Sequence, residues 1–168
     1  MTTDRKSEVR EPDPFHALDL LLFADQFYLA FHKLPENPPP WGWPRYFLLC
    51  HANELALKAH LAHHGASAEE LQKVFKHDLK KLLKAVIKKG LPLTHDTQGK
   101  IKLLSKAHAK LRHRYPGEGP VYVIEPFVAA AQELLDSVST DIRGAPNYSW
   151  TWLVEIIPKS VVSIQTIA

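Results

Sequence analysis

His77-Asp-Leu-Lys-Lys-Leu-Leu-Lys-Ala-Val-Ile-Lys-Lys89, followed by Gly90, is the stretch whose reading decides the fold. Leu79, Leu82, Leu83, Val86 and Ile87 recur at the i, i+3, i+4, i+7, i+8 spacing that places them on one side of an α-helix. Lys80, Lys84 and Lys88 fall one turn apart beside that stripe. Asp78 stands in the first turn, where negative charge suits the helix dipole, and Gly90 ends the segment. A helix with one apolar side has to bury it, so the flanking sequence must supply partners.

Upstream, a helix is predicted from Pro44, since proline is tolerated in a first turn, to His64, with Gly65 as its stop. Glu54 and Lys58 within it are four apart with the acid first, the favourable order. Ser67-Ala-Glu-Glu70 is a capping-box pattern that opens a short further segment. Another helix is predicted from about Phe15 to Lys33. Its Phe15, Leu18, Leu22, Ala24, Phe27, Leu29 and Phe31 surround most of the circumference, so much of it is expected to be buried. Pro35 to Pro44, with Pro38-Pro39-Pro40 and Trp41-Gly42-Trp43, reads as an extended loop.

Downstream, Gln98 to about Arg112 is predicted helical, with Ile101, Leu104 and Leu111 on one face and Lys102, Lys106 and Lys110 along another. Tyr115-Pro116-Gly117 stops it. A last helix is predicted from Pro126 to Ser139 through Phe127, Val128, Ala131, Leu134 and Leu135. From Asp141 onward the pattern changes: Val154, Ile156, Ile157, Val161, Val162, Ile164 and Ile167 are β-branched and favour strand. The expected fold is therefore mainly α, an up-and-down bundle of four to five helices over residues 14–140. A flexible N-terminal arm (1–13) precedes it. A β-prone C-terminal tail (141–168), as a hairpin or an oligomer arm, follows it.

The bulk composition agrees with a single globular domain. The chain has 168 residues, 45% of them hydrophobic and 23% charged, values that exclude disorder along its whole length. The single cysteine, Cys50, forms no internal disulfide and points to a reducing compartment, the cytoplasm. Residues 1–13 lack the apolar core of a signal peptide. No apolar run approaches the roughly 20 residues of a membrane-spanning helix, so no membrane association is expected.

Charge is unevenly spread. Residues 73–114 hold 13 Lys/Arg against two acids, a net of +11, while the remaining residues carry 8 Lys/Arg and 16 acids, a net of −8. A basic stretch in an otherwise acidic chain suggests an anionic partner, with a solvated lysine face as the plainer reading. Lys80, Lys84, Lys88, Lys102, Lys106, Arg112 and Arg114 would converge on phosphates if their two helices pack side by side.

All ten histidines precede residue 114. His60 and His64 lie one turn apart and could chelate a metal together, but a tight site needs a third or fourth ligand, and neither an HExxH motif nor a cysteine supplies it. His60, His63 and His64 are expected to be solvated at a helix C-terminus, and no metal or cofactor is expected. His108, on the apolar face with Leu104 and Leu111, reads as a hydrogen-bonded core histidine. Cys50 and His51 are helix neighbours pointing about 100° apart, so they make no nucleophilic pair. There is no GxSxG, P-loop or GxGxxG, and the carboxylates are too scattered to form an acid/base pair.

The run His51-Ala-Asn-Glu-Leu-Ala-Leu-Lys-Ala-His-Leu61, then Gly65, then Lys76-His-Asp-Leu-Lys-Lys-Leu-Leu83 and Gly90-Leu91, resembles the HEPN superfamily. That family shows a helix with an E-x-x-x-K-x-x-L pattern, a glycine turn and an H-D-L-x-x-L-L helix. Glu54, Lys58, Leu61, His77, Asp78, Leu79, Leu82 and Leu83 fit it, and Arg114-Tyr115-Pro116 is similar to a late R-Y-P segment of some members. The resemblance covers roughly residues 44–140. It implies a four- or five-helix bundle that often forms a homodimer, with a role linked to RNA or nucleotides. Many members are metal-independent ribonucleases whose arginine holds the scissile phosphate while a histidine four to six residues away handles the 2′-hydroxyl proton. No histidine follows residue 113 here, so a late helix does not supply that pair; Arg45 and His51 have the spacing, as do Arg10 and His16. The first expectation is a HEPN-like module binding nucleic acid or nucleotide through the basic surface of residues 76–114 without catalysis. The alternatives are a ribonuclease using Arg45 and His51 at a dimer interface, and a protein-interaction subunit docking through its tail.

Overall fold

The computed structural model describes residues 14–34, 42–109 and 124–146. They form a mainly helical bundle: α1 (Pro14–Lys33), α2 (Gly42–His63), a short α3 (Ala68–Glu70) that continues as a π-helical turn (Leu71–Phe75), α4 (Leu79–Lys88), α5 (His95–Ala109) and α6 (Glu125–Arg143). Among the described residues there is no strand, and no helix is long and apolar enough to cross a membrane. The N-terminal arm, the proline loop at 35–41, Leu111 to Arg114 and the β-prone run from Val154 onward lie outside them.

α2 is the central helix, packing on α1, α6, α4 and α5. Its sequence explains this position. Leu49, Leu57 and Leu61 fill the interior, while Ala52, Ala56, Ala59 and Ala62 are small enough to let several partners approach at once. On α1, Ala17, Leu21, Ala24, Tyr28 and Phe31 form one buried stripe at three- and four-residue spacing. Among the described residues α1 packs mainly against α2 and α6, and part of its apolar surface is left exposed: Leu18 is 38% and Phe23 51% exposed. Burial around most of α1, expected from composition, is thus narrower than predicted.

The helix ends follow local chemistry. The Ser67 hydroxyl accepts the Glu70 amide at 3.1 Å and starts α3. Asp78 is the N-cap of α4, its carboxylate accepting the Lys81 amide at 3.0 Å. Leu79, Leu82, Leu83 and Val86 are buried as the periodicity requires. Between the two, Lys76 takes φ +50, a conformation that costs a side chain of its size, and this kink turns the chain from the π-helical turn into α4. α5 starts at His95, ahead of the predicted Gln98. The Thr94 hydroxyl accepts the Thr97 amide at 3.2 Å, and Glu133 of α6 accepts from the Thr94 amide at 2.6 Å and the Thr97 hydroxyl at 2.6 Å. This cap borrows an acid 39 residues away, so the local sequence does not reveal it. α6 continues past Ser139 to Arg143 and ends at Gly144, whose φ of +74 is the left-handed cap that glycine adopts without strain.

Candidate functional site

The interior of the bundle holds one carboxylate with several donors. Glu54, in the middle of α2, is 1% exposed. Its oxygens accept hydrogen bonds from Lys58 Nζ at 2.7 Å, one turn along α2, from His108 Nε2 at 2.9 Å on α5, and from His77 Nδ1 at 3.0 Å just before α4. Because an ionised carboxylate only accepts, the imidazole nitrogens facing it donate. His51 Nδ1 stands 4.0 Å away. Burial alone would raise the Glu54 pKa, but the hydrogen bonds from His108 and Lys58 and the Lys58 charge outweigh it and hold the group down at about 2. Glu54 is therefore ionised, and it links α2 to the start of α4 and to the far part of α5. His77 keeps 55% of its side chain exposed, so this buried carboxylate orients an imidazole that solvent reaches.

Glu54, Lys58 and His77 stand out in the sequence, and His108 reads correctly as a hydrogen-bonded core histidine. What the sequence leaves open is that both histidines share one acceptor. The signal is a complementary demand: an acid in an apolar stretch of α2 needs buried donors, and a histidine on the apolar face of α5 needs a buried acceptor.

A second cluster closes the C-terminal end of α2. Asp141 Oδ2, on the last turn of α6, lies 2.9 Å from His60 Nδ1 and 3.0 Å from His64 Nε2. His60 is 1% exposed, so it is not the solvated histidine expected. The difference arises because α6 outruns its apolar pattern and brings Asp141 over the end of α2. Burial lowers the His60 pKa to about 4 against the opposing pull of Asp141.

The basic residues sit on a third region. Lys80, Lys84 and Lys88 on α4 and Lys102 and Lys106 on α5 are all exposed. The Lys80 amide donates to Ser105 Oγ at 3.2 Å, which sets the start of α4 beside the end of α5. With this antiparallel register, four residues on, or about 6 Å, Lys84 comes level with the turn that holds Lys102. Lys58, Lys73 and Lys100 each pair with an acid, whereas these five lysines have no carboxylate partner among the described residues. Arg112 and Arg114 lie outside the described residues.

Arg45 is buried, its guanidinium 4.4 Å from the centre of the Phe31 ring. His51 is half-buried, edge-on to Phe27 at 4.4 Å and stacked on Phe47 at 5.7 Å, and burial lowers its pKa against the pull of Glu54. Six residues apart on one helix, Arg45 and His51 are separated by about 9 Å along the axis and about 120° around it, so within one chain they face different neighbours. Burial, reinforced by the Glu54 charge, pushes the Cys50 thiol pKa well up, leaving a protonated, enclosed sulfur. Comparison of the chain with protein-family models, with curated proteins and with solved structures finds no match.

Proposed function

We propose that this protein is a HEPN-like helical module that binds the phosphate backbone of RNA through the lysine surface of α4 and α5, without cleaving it, as a homodimer. The supporting observation is the set of five exposed, acid-free lysines on two adjacent helices in antiparallel register. Lysines that merely solubilise a surface are commonly interspersed with acids. Here α4 carries no acid, and the one acid of α5, Asp96, is paired with Lys100, so the five lysines keep the unneutralised charge that counterion release from a polyanion rewards. The Glu54 centre gives the surface its rigidity. His77 and His108 lie at the adjoining ends of the two lysine rows, and one carboxylate holds both. In this reading the residues that carry the resemblance, Glu54, Lys58, His77 and Asp78, organise the surface rather than perform chemistry.

The test is binding of labelled single-stranded RNA across a salt series, with RNA length followed on a gel. Five phosphate contacts predict a log–log salt slope near −3.5, at roughly 0.7 per contact for a single strand. The combined Lys80→Glu, Lys84→Glu and Lys106→Glu variant should lose binding while keeping its helical content. Absence of binding at low salt would sink the proposal. Shortened RNA, with cleavage lost in His51→Ala, would favour the ribonuclease reading instead.

A further inference from the structure

The structure contains two clusters in which two histidines and a carboxylate bring their ligand atoms within 4.8 Å of one another: Glu54 with His77 and His108, and Asp141 with His60 and His64. They have the same chemical make-up and different surroundings. In the first, Lys58 Nζ already occupies the carboxylate at 2.7 Å, so a divalent ion would meet an ammonium group at contact distance. In the second, neither a lysine nor an arginine reaches Asp141 among the described residues, and its carboxylate serves only the two imidazoles. We infer that His60, His64 and Asp141 form a site for a divalent transition-metal ion, zinc foremost, that joins the end of α2 to the end of α6.

The geometry fits this assignment. His60 and His64 are four apart on α2 and so share a face, and Asp141 approaches from a different helix. A tetrahedral zinc ion with bonds of about 2.0–2.1 Å separates its ligand atoms by about 3.3 Å. The two carboxylate–imidazole separations are 2.9 and 3.0 Å, so the ligands need to open by only a few tenths of an ångström. The movable partners are those at the surface: His64 is 34% and Asp141 28% exposed, while His60 is fixed in the interior. The same exposure gives the ion a way in and leaves its fourth position to water. The set of two imidazoles and one carboxylate is one that zinc accepts with an open position, and copper or nickel would compete by the usual order of affinities. On binding, the protons that point from His60 Nδ1 and His64 Nε2 toward Asp141 move to the opposite ring nitrogens, and the metal takes their place. His60 Nε2 is buried with no hydrogen-bond partner among the described residues. Ligating histidines ordinarily have such a partner, and its absence should weaken the site by about 10–100-fold relative to one that has it.

The experiment uses the chain without a histidine tag, stripped with chelator and titrated with zinc by calorimetry, and separately with cobalt(II), whose visible bands report coordination. The expected result is one equivalent of zinc bound, a rise in Tm with added zinc, and cobalt bands of a four- or five-coordinate site. His64→Ala and Asp141→Asn alter surface side chains and should each weaken zinc binding at least tenfold with helical content retained. His77→Ala, in the other cluster, should leave it unchanged. Absence of saturable zinc binding by the parent chain would overturn the assignment. So would binding that survives both His64→Ala and Asp141→Asn, or that is lost in His77→Ala.

Discussion

Replacing Glu54 with Gln tests the centre of the bundle with the smallest change of shape. The carboxylate is 1% exposed and accepts from Lys58, His108 and His77. An amide keeps one acceptor and turns the other position into a donor facing donors. The cheaper arrangement leaves the carbonyl toward His108, which is fully buried, and sets the NH2 toward Lys58 and His77, which can swing toward water. Two charge-assisted hydrogen bonds are then lost, and the remaining partners are left without a counter-charge. Breaking a buried pair from one side costs about 3–5 kcal/mol; the partial exposure of Lys58 and His77 argues for the lower end, about 3 kcal/mol. For a helical domain of this size that is roughly a 10 °C fall in Tm. Urea unfolding followed by far-UV circular dichroism at pH 7 measures it directly. Lys58→Met, which leaves the buried carboxylate its two imidazole donors, should cost about 2 kcal/mol. The gap between parent and Glu54→Gln also depends on pH. The folded-state pKa of Glu54, about 2, lies below its ordinary 4.5, so its contribution is complete above pH 4.5 and is lost as pH falls toward 2. A Glu54→Gln protein within about 0.5 kcal/mol of the parent at pH 7, or a gap that does not change with acidification, would refute the reasoning.

Three other outcomes are expected. In chelator, the protein should lose stability as pH falls from 6.5 to 4: burial depresses the His60 pKa to about 4, so the unfolded chain takes up a proton that the folded chain refuses. The loss should be on the order of 2–3 kcal/mol, read from urea midpoints at each pH, and a flat profile in that window would contradict it. Lys76→Gly should be neutral or stabilising by up to about 1 kcal/mol, because it relieves a positive φ, whereas glycine inside a helix costs about that much; a loss above 1 kcal/mol in thermal or urea melts would count against strain at this kink. Cys50 should resist a thiol reagent in the folded protein and react at once in urea; rapid labelling of the native chain would show that its burial is wrong.

Much of the architecture is legible in the sequence because the local signals agree with the global ones. The leucine spacing of α4, its Asp78 cap, the Ser67 start of α3 and the glycine stops each act through neighbours within four residues. The readings that missed share a different cause. α5 starts early because Glu133 reaches its first turn from α6, His60 is buried because α6 runs on to Asp141, and α1 exposes Leu18 and Phe23 on the side that, among the described residues, α2 and α6 leave uncovered. Each depends on a contact between distant segments, which periodicity does not encode. The candidate site divides the same way. Glu54 and Lys58 are visible as an i,i+4 pair, and the five lysines as rows, but the convergence of His77 and His108 on one carboxylate needs three helices in place.

A single lysine separates the roles of the two histidine–carboxylate clusters. Around Glu54 the donors already supply a full positive charge through Lys58, so the group is a closed, satisfied tie among α2, α4 and α5. Around Asp141, among the described residues, the charge is met only by imidazoles, one of them buried under conditions that disfavour its protonation. The same reasoning places the two at different points on a stability scale. The Glu54 tie is internal to the fold and needs no cation from solution, while the Asp141 tie strengthens with any metal ion it binds. Lys58→Met makes the contrast testable within one protein. If the lysine charge is what bars a metal from Glu54, that variant should gain a second, weaker zinc equivalent that His77→Ala removes. A stoichiometry that stays at one would show that burial of Glu54, rather than the lysine, sets the difference.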